Sequence, residues 1–268
     1  MEVTENNAPV RIRALGGLEI RAGRSLYWPQ RVLAILTREL LMGLIAVGPQ
    51  GLGVRSLCEA LWPQLSWDEG THALMVSVPR LRRRLGCREA VEFTAARVGL
   101  NALSCWIDAW AFEESANRAL AAGDEVPPCD LLQALELYRG PLCGEPPGPL
   151  LVRRARERLR RLYARACFAA GRRMQRDGDA GAAIQLYELA LGREEACEEL
   201  YRALILAQAA TGQSKAAAQT FERCRRALQN RFGTTPSPVT ARARQESCPP
   251  QAGAGERSDA LAASGASP

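Results

Sequence analysis

The sequence predicts an α+β N-terminal region followed by an all-α region of repeated helices. Three observations carry that division. Residues 10–28 alternate apolar and polar side chains around Gly16-Gly17 and Gly23, the pattern of short antiparallel strands joined by tight turns. Residues 66–86 form a helix with its own start and stop signals. From about Ala111 the chain reads as helix and loop, and two of its segments match at an offset of 34 residues. The length of 268 residues suits roughly two domains at ~150 residues each.

The elements of the first region follow in order. After the strands, a helical pattern runs from about Gln30 to Ala46 and gives way to the loop GPQGLG. A short helix over about Val54 to Leu61 is stopped by Trp62-Pro63. The third helix opens on Ser66 and Glu69, an S-x-x-E capping box in which each side chain caps the other residue's free amide. Leu74, Val78, Leu81 and Leu85 recur at helical spacing and face the core, and Gly86 supplies the permissive residue after the last turn. VEFTAARVGL (91–100) then reads as a hairpin, and CWIDAWAFE (105–113) leads into a new helix. Strands, three helices and a hairpin are the order of a winged helix of the response-regulator output (OmpR/PhoB) type.

In the second region, DLLQALELYRG (130–140) is a helix closed by Gly140-Pro141, and a long helix runs from about Leu150 to Arg176. GDAGAAIQLYELAL (178–191) and GQSKAAAQTFERCR (212–225) align residue for residue: Gly178 with Gly212, Ala182-Ala183 with Ala216-Ala217, Tyr187 with Phe221. A 34-residue period with small and aromatic residues at these places is that of tetratricopeptide repeats. From Thr234 onward, 21 of 35 residues are Ala, Gly, Pro or Ser, too little apolar surface to offset ordering entropy. The expected organisation is a flexible start (1–9), a winged helix (10–115), a helical-repeat domain (116–235) and a disordered tail (236–268).

Composition narrows the function. Of 35 basic residues 34 are arginine and Lys215 is the one lysine, and the net charge of +6 keeps nucleic acid open as a partner. The start MEVTENNAPV is not a secretory signal, and the longest apolar run, Leu40 to Gly48, is far short of the ~20 residues that span a bilayer. Nine dispersed cysteines with no C-x-x-C pair read as reduced core thiols of a cytoplasmic protein. His72 is the one histidine, there is no nucleotide loop, nucleophile elbow or metal-ligand spacing, and neither catalysis nor a cofactor or metal is expected. With about nine residues ahead of the first strand, no receiver domain is expected there.

The stretches LCEALWP (57–63), PRLRRRLG (79–86), WIDAWAFE (106–113), ALELYRGPL (134–142), ERLRRLYA (157–164) and AAAQTFERCRRALQNRFGTTPSP (216–238), in this order, resemble the bacterial transcriptional activator (BTAD) family, the architecture of the Streptomyces antibiotic regulatory proteins. The resemblance spans about residues 10–238. It implies a winged-helix DNA-binding domain fused to a tetratricopeptide-like domain, acting as a non-enzymatic activator. Such a protein docks on promoter DNA, as two or more copies on direct repeats, and contacts RNA polymerase.

In this class the third helix enters the major groove and the hairpin forms the wing. With the four apolar residues inward, a 100° step per residue puts His72, Val76, Pro79, Arg80 and Arg83 on the outward face, flanked by Arg82 and Arg84. Arg97 in the wing and Arg31 at the start of the first helix would hold phosphate. The alternatives are a solvated basic face and, for His72, simple solvation. Pro79 stands inside the helix, where it lacks the N–H for Met75 and should kink the chain. The wing carries Val98-Gly99-Leu100 where a Gly-Tyr pair is expected. Residues 1–115 hold 13 arginines against 12 acids, so counterion release would rest on a local patch. These departures motivate the second reading, a protein-interaction adaptor whose winged helix does not read DNA.

Charge is densest at 150–176, with ten arginines and one acid. Arg154, Arg158, Arg161, Arg165, Arg172 and Arg176 lie within about 40° of one line down that helix. They form either its wet face, paired with acids such as Glu194, Glu195, Glu198 and Glu199, or a contact for an acidic protein surface or flanking DNA.

Overall fold

In a computed structural model, the described residues are 4–5, 7–22, 26–29, 34–123, 128–144 and 148–247. Three short strands, β1 (Val10–Arg13), β2 (Glu19–Ala22) and β3 (Leu26–Pro29), form an antiparallel meander. Helices α1 (Ile35–Val47), α2 (Val54–Leu61) and α3 (Trp67–Leu85) follow, with the two-residue strand β4 (Leu52–Gly53) between the first two. Strands β5 (Val91–Phe93) and β6 (Arg97–Leu100) make the expected hairpin, and β4 joins it to give the order β4-β6-β5. Strand β7 (Cys105–Ile107) returns parallel to β1 and completes a second sheet, β3-β2-β1-β7. This is a winged helix: three helices, a hairpin wing and an N-terminal sheet.

The helical region comprises α4 (Asp108–Ala121), α5 (Pro128–Leu137), α6 (Leu150–Arg176), α7 (Ala180–Arg193), α8 (Glu198–Ala210), α9 (Ser214–Phe232) and α10 (Pro238–Glu246). The chain divides into two compact units, Met1–Leu200 and Tyr201–Pro268. The seam expected near residues 115–116 therefore lies inside the first unit. There α4, α5 and α6 share an aromatic core: Tyr138 and Tyr163 stack at 4.1 Å, and Phe112 lies 5.1 Å from Tyr138. Tyr138 donates its hydroxyl to Glu194, and Arg193 donates to the Leu135 carbonyl at 3.0 Å, fixing α7 onto the end of α5.

One buried carboxylate joins the winged helix to this helical core. Register along β1 and β7 ends at Ile12 opposite Ile107. Just beyond that pair, the Asp108 side chain continues the ladder in place of a strand. It accepts the amides of Ala14 at 2.7 Å and Leu15 at 3.2 Å, and Arg139 approaches it at 3.3 Å. Beside it Gly16 donates to the Pro141 carbonyl at 3.0 Å, and Leu15 bridges Leu142. Gly16, at φ +83°, lies so close that a Cβ there would meet the Arg139 carbonyl at 2.9 Å; a Cβ on Gly140 would meet the Gly16 Cα at 3.1 Å. Only a glycine pair lets the two backbones touch.

The 34-residue repeat is visible as repeated hydrogen bonds. Asp177, Gly178 and Asp179 donate their amides to the carbonyls of Arg173, Gln175 and Met174; Thr211, Gly212 and Gln213 donate in the same way to Ala207, Ala209 and Gln208. Each turn starts a helix whose first buried residue is an alanine, Ala183 or Ala217. The packing partners trade volume. In the first hairpin the large Tyr187 covers Gly171, where a Cβ would overlap its hydroxyl; in the second, Phe221 packs with Ile205 at the equivalent places.

One expectation is corrected here. The tail expected from residue 236 is ordered at its start: Pro238 begins α10, and Thr240 and Ala243 are buried, with Ala243 packed against Ile205 and Ala217. A proline at the first helical position and two small inward residues suffice where a hydrophobic cluster already exists. Residues 248–268 of that expected tail lie outside the described residues. α3 runs as one helix through Pro79. The eight cysteines among the described residues are free thiols, six of them buried. Burial pushes Cys105, Cys143, Cys167 and Cys197 up to about 12, so these four stay protonated near neutrality.

Burial also pushes the Asp108 carboxyl from 3.8 up to about 6, against the opposing pull of its two amide donors and Arg139. The native state then holds this proton more tightly than the unfolded chain, so its contribution to stability falls as pH rises across that interval, by about 3 kcal/mol in all. Urea denaturation from pH 4 to 7 should show this fall in the wild type and not in Asp108→Asn. Asp108→Ala, which orphans two buried amides and removes the titrating group, should lose about 2–4 kcal/mol at pH 7 and up to about 3 kcal/mol more near pH 4. An unchanged pH profile in Asp108→Asn would contradict the assignment.

Candidate nucleic-acid interface

The α3 helix is built to present one face. Its capping box is complete: Ser66 Oγ accepts the Glu69 amide at 3.3 Å, and the Glu69 carboxylate accepts the Ser66 amide at 2.9 Å. Those bonds from Ser66, backbone first, hold the Glu69 carboxyl below its ordinary value. Asp68 and Glu69 stand in the first turn and Arg82, Arg83 and Arg84 in the last, in accord with the helix dipole. Gly86 ends the helix at φ +62°. Leu74, Val78, Leu81 and Leu85 are each at most 1% exposed, and Ala73 and Ser77 complete the buried side.

The opposite face carries most of the residues expected there. His72, Pro79, Arg80 and Arg83 are exposed, and Val76 is half-buried. The side chains of Arg80 and Arg83 make no hydrogen bond or ion pair among the described residues. Arg84 is exposed but engaged within the protein. Met75, an apolar residue where a polar reader was expected, is 57% exposed between His72 and Pro79. Sequence reasoning missed Trp67, 44% exposed at the helix start, with the Arg55 guanidinium 4.8 Å from its ring. It is an apolar residue on an exposed helical face, a signal that core-finding periodicity discards.

Arg82 has a different task from the one expected. Its Nε and Nη2 both donate to the Val91 carbonyl, at 3.1 and 2.7 Å. The side chain thereby clamps the end of α3 to the first strand of the hairpin and is half-buried there. The hairpin is closed by Thr94, whose amide and hydroxyl donate to the Arg97 carbonyl, while its Oγ1 accepts the Arg97 amide at 3.0 Å. That turn leaves the Arg97 side chain exposed. Gly99, in the Val98-Gly99-Leu100 stretch that stands where a Gly-Tyr pair was expected, lies against Gly51: a Cβ on it would meet the Gly51 Cα at 3.1 Å. The space for a larger side chain is occupied by backbone. Arg31 lies outside the described residues.

The assembled site is therefore two free guanidiniums on one helical face, a third on the adjoining hairpin, and an apolar strip from Met75 to Pro79. Guanidiniums in this arrangement form bidentate bonds to guanine edges or clamp phosphates, and apolar side chains contact thymine methyl groups.

The α6 arginines are partly committed. Arg158 pairs with Glu113 at 2.9 Å, and Arg161 with Glu157 at 2.6 Å. Arg172 lies over the Phe168 ring at 5.7 Å, and Arg176 is engaged within the protein. Arg154 and Arg165 are exposed and have no partner among the described residues. Of the four acids expected to neutralise the stripe, Glu199 meets Arg160, at 3.4 Å, an arginine off the stripe, and Glu194 accepts from Tyr138.

Comparison with known proteins adds the following. The family model described as "Bacterial transcriptional activator domain" matches residues 107–246. No curated protein sequence matches the chain. Among solved structures, "Mycobacterium tuberculosis EmbR in complex with low affinity phosphopeptide" superposes with a TM-score of 0.63 at 22% identity. The match covers 89% of this chain and 65% of that one, so the chain spans about two thirds of its length. At that identity the likeness is one of fold.

The Arg82 clamp yields a stability prediction. Arg82→Ala removes two charge-assisted bonds to a half-buried carbonyl and should lower stability by about 1.5–3 kcal/mol in denaturant titration. Arg83→Ala, one residue on and solvated, should stay within about 0.5 kcal/mol of the wild type. Equal effects would contradict the clamp.

Proposed function

The chain belongs to the bacterial transcriptional activator domain family, and from that membership we propose that it binds promoter DNA through α3 and the β5–β6 hairpin and activates transcription. In this reading α3 lies in the major groove, where Arg80 and Arg83 read bases or clamp phosphates. His72, Val76 and Arg84 line the same contact, and Arg97 on the wing reaches the backbone; Arg31 is assigned to phosphate from the sequence alone. Arg82 positions the wing instead of touching DNA. The helical region carries protein contacts, with RNA polymerase as the partner, and copies of the chain occupy repeated sites. The protein acts in the cytoplasm without cofactor or catalysis. Among the described residues no helix is long and apolar enough to cross a membrane. The observation that carries the reading is the free pair Arg80 and Arg83 on the outward face of a capped, core-anchored helix.

The exposed Met75 and Pro79 on that face favour one other reading, an adaptor whose winged helix docks a protein surface in place of DNA. Site selection from a randomised DNA pool with the full chain separates the two. A DNA-reading protein should enrich a defined site. The combined Arg80→Ala and Arg83→Ala variant should bind that site about 10–100-fold more weakly. It should also show a dependence on log salt shallower by about two. Equal affinity for every sequence would remove the DNA reading and leave the adaptor.

A further inference from the structure

A groove of about 740 Å³ runs between α4 and α6, at a distance in sequence from the α3 face. Its walls carry Arg153, Arg154, Arg158, Arg161 and Arg165 against two acids, Glu113 and Glu157. We propose that this groove is a docking site for an acidic amphipathic helix of a partner protein. The proposal rests on the reading of the helical region as a protein-contact surface and is independent of the DNA reading.

Charge sets the sign of the occupant. Glu113 and Glu157 neutralise Arg158 and Arg161, which leaves Arg153, Arg154 and Arg165 exposed and without partners among the described residues. Uncompensated guanidiniums in one trough attract an anion and bind carboxylates bidentately. The built-in pairs show carboxylates already accepted at two points along the same row.

Shape and polarity set its class. From Leu150 to Arg165 the groove follows α6 for about 22 Å at 1.5 Å per residue, the length of a helix of about four turns. All five arginines are exposed, so the trough is open along its length and does not enclose a small ligand as a cofactor pocket does. Its lining is also apolar in places: Leu150 is 53% exposed at one end, and Leu162 is buried in the floor. A phosphate backbone has nothing to offer Leu150. A helix with carboxylates at one-turn intervals and a leucine-like anchor satisfies both kinds of lining. Arg154, Arg158, Arg161 and Arg165 step by four, three and four residues, the spacing at which one helix meets another along its side.

The test uses a displayed library of helix-forming 20-residue peptides, randomised on their surface positions and selected against the full chain. Selected peptides should carry Asp or Glu at one-turn spacing beside a leucine-type anchor. Their affinity should fall at least tenfold for Arg154→Glu with Arg165→Glu, and be largely kept by the Arg154→Lys, Arg165→Lys pair. Both positions are exposed, so thermal melts of the variants should match the wild type, and binding to the DNA site selected above should be unchanged. The proposal fails if no peptide is enriched, or if enriched peptides lack acids. It fails equally if they bind the Glu variant as well as the wild type. Displacement of the peptides by a 20-base-pair duplex of random sequence would overturn it in favour of a nucleic-acid contact. Loss of DNA-site selection with peptide capture intact would remove the DNA reading and leave this one standing.

Discussion

The structure depends on one buried carboxylate. Asp108 sits where β7 ends and α4 begins, and its two oxygens take up the amides that β1 presents beyond its last paired residue. Arg139 closes the other side of the carboxylate, bringing the segment after α5 against the first strand of the winged helix. The glycine contact of Gly16 with Gly140 is possible only because that segment is held there. Without an acceptor at residue 108, two backbone N–H groups would be buried unsatisfied at the point where sheet and helices meet.

A consequence is that the α3 face and the α4–α6 groove belong to one body. The Trp110 indole donates to the Ile45 carbonyl at 2.9 Å, and Arg158 reaches both Glu113 and the end of α1. The helices that carry the arginine groove are thus bonded to the helix that packs on α3. A flexible two-domain arrangement would let each surface find its partner separately. The bonded arrangement fixes the spacing between whatever α3 contacts and whatever the groove contacts.

Much of this was legible in the sequence because it is local. The Ser66–Glu69 box, the inward leucines of α3, Gly86, the 91–100 hairpin and the α6 boundaries all rest on interactions within a few residues or on helical period. The 34-residue repeat was readable from Gly, Ala and aromatic positions because the same turn must be closed by the same three hydrogen bonds each time. What escaped was non-local. Asp108 and Ala14 are 94 residues apart, and Arg82 resembles its neighbours until its carbonyl partner is seen. Composition hid α10, since two small buried residues order a segment only when a cluster elsewhere receives them. Arg158 and Arg161 joined the free basic stripe for want of knowledge of where Glu113 lies and how Glu157 turns.

The central claim is that Asp108 makes the winged helix and the α4–α7 helices one cooperative unit. Native-state hydrogen exchange tests it most directly. The amides of Ala14 and Leu15 should exchange with the same opening free energy, and the same denaturant dependence, as core amides of α6 such as Tyr163. Exchange of the β1 amides through a separate, lower-energy opening, while α6 stays protected, would show two independent domains and contradict the account.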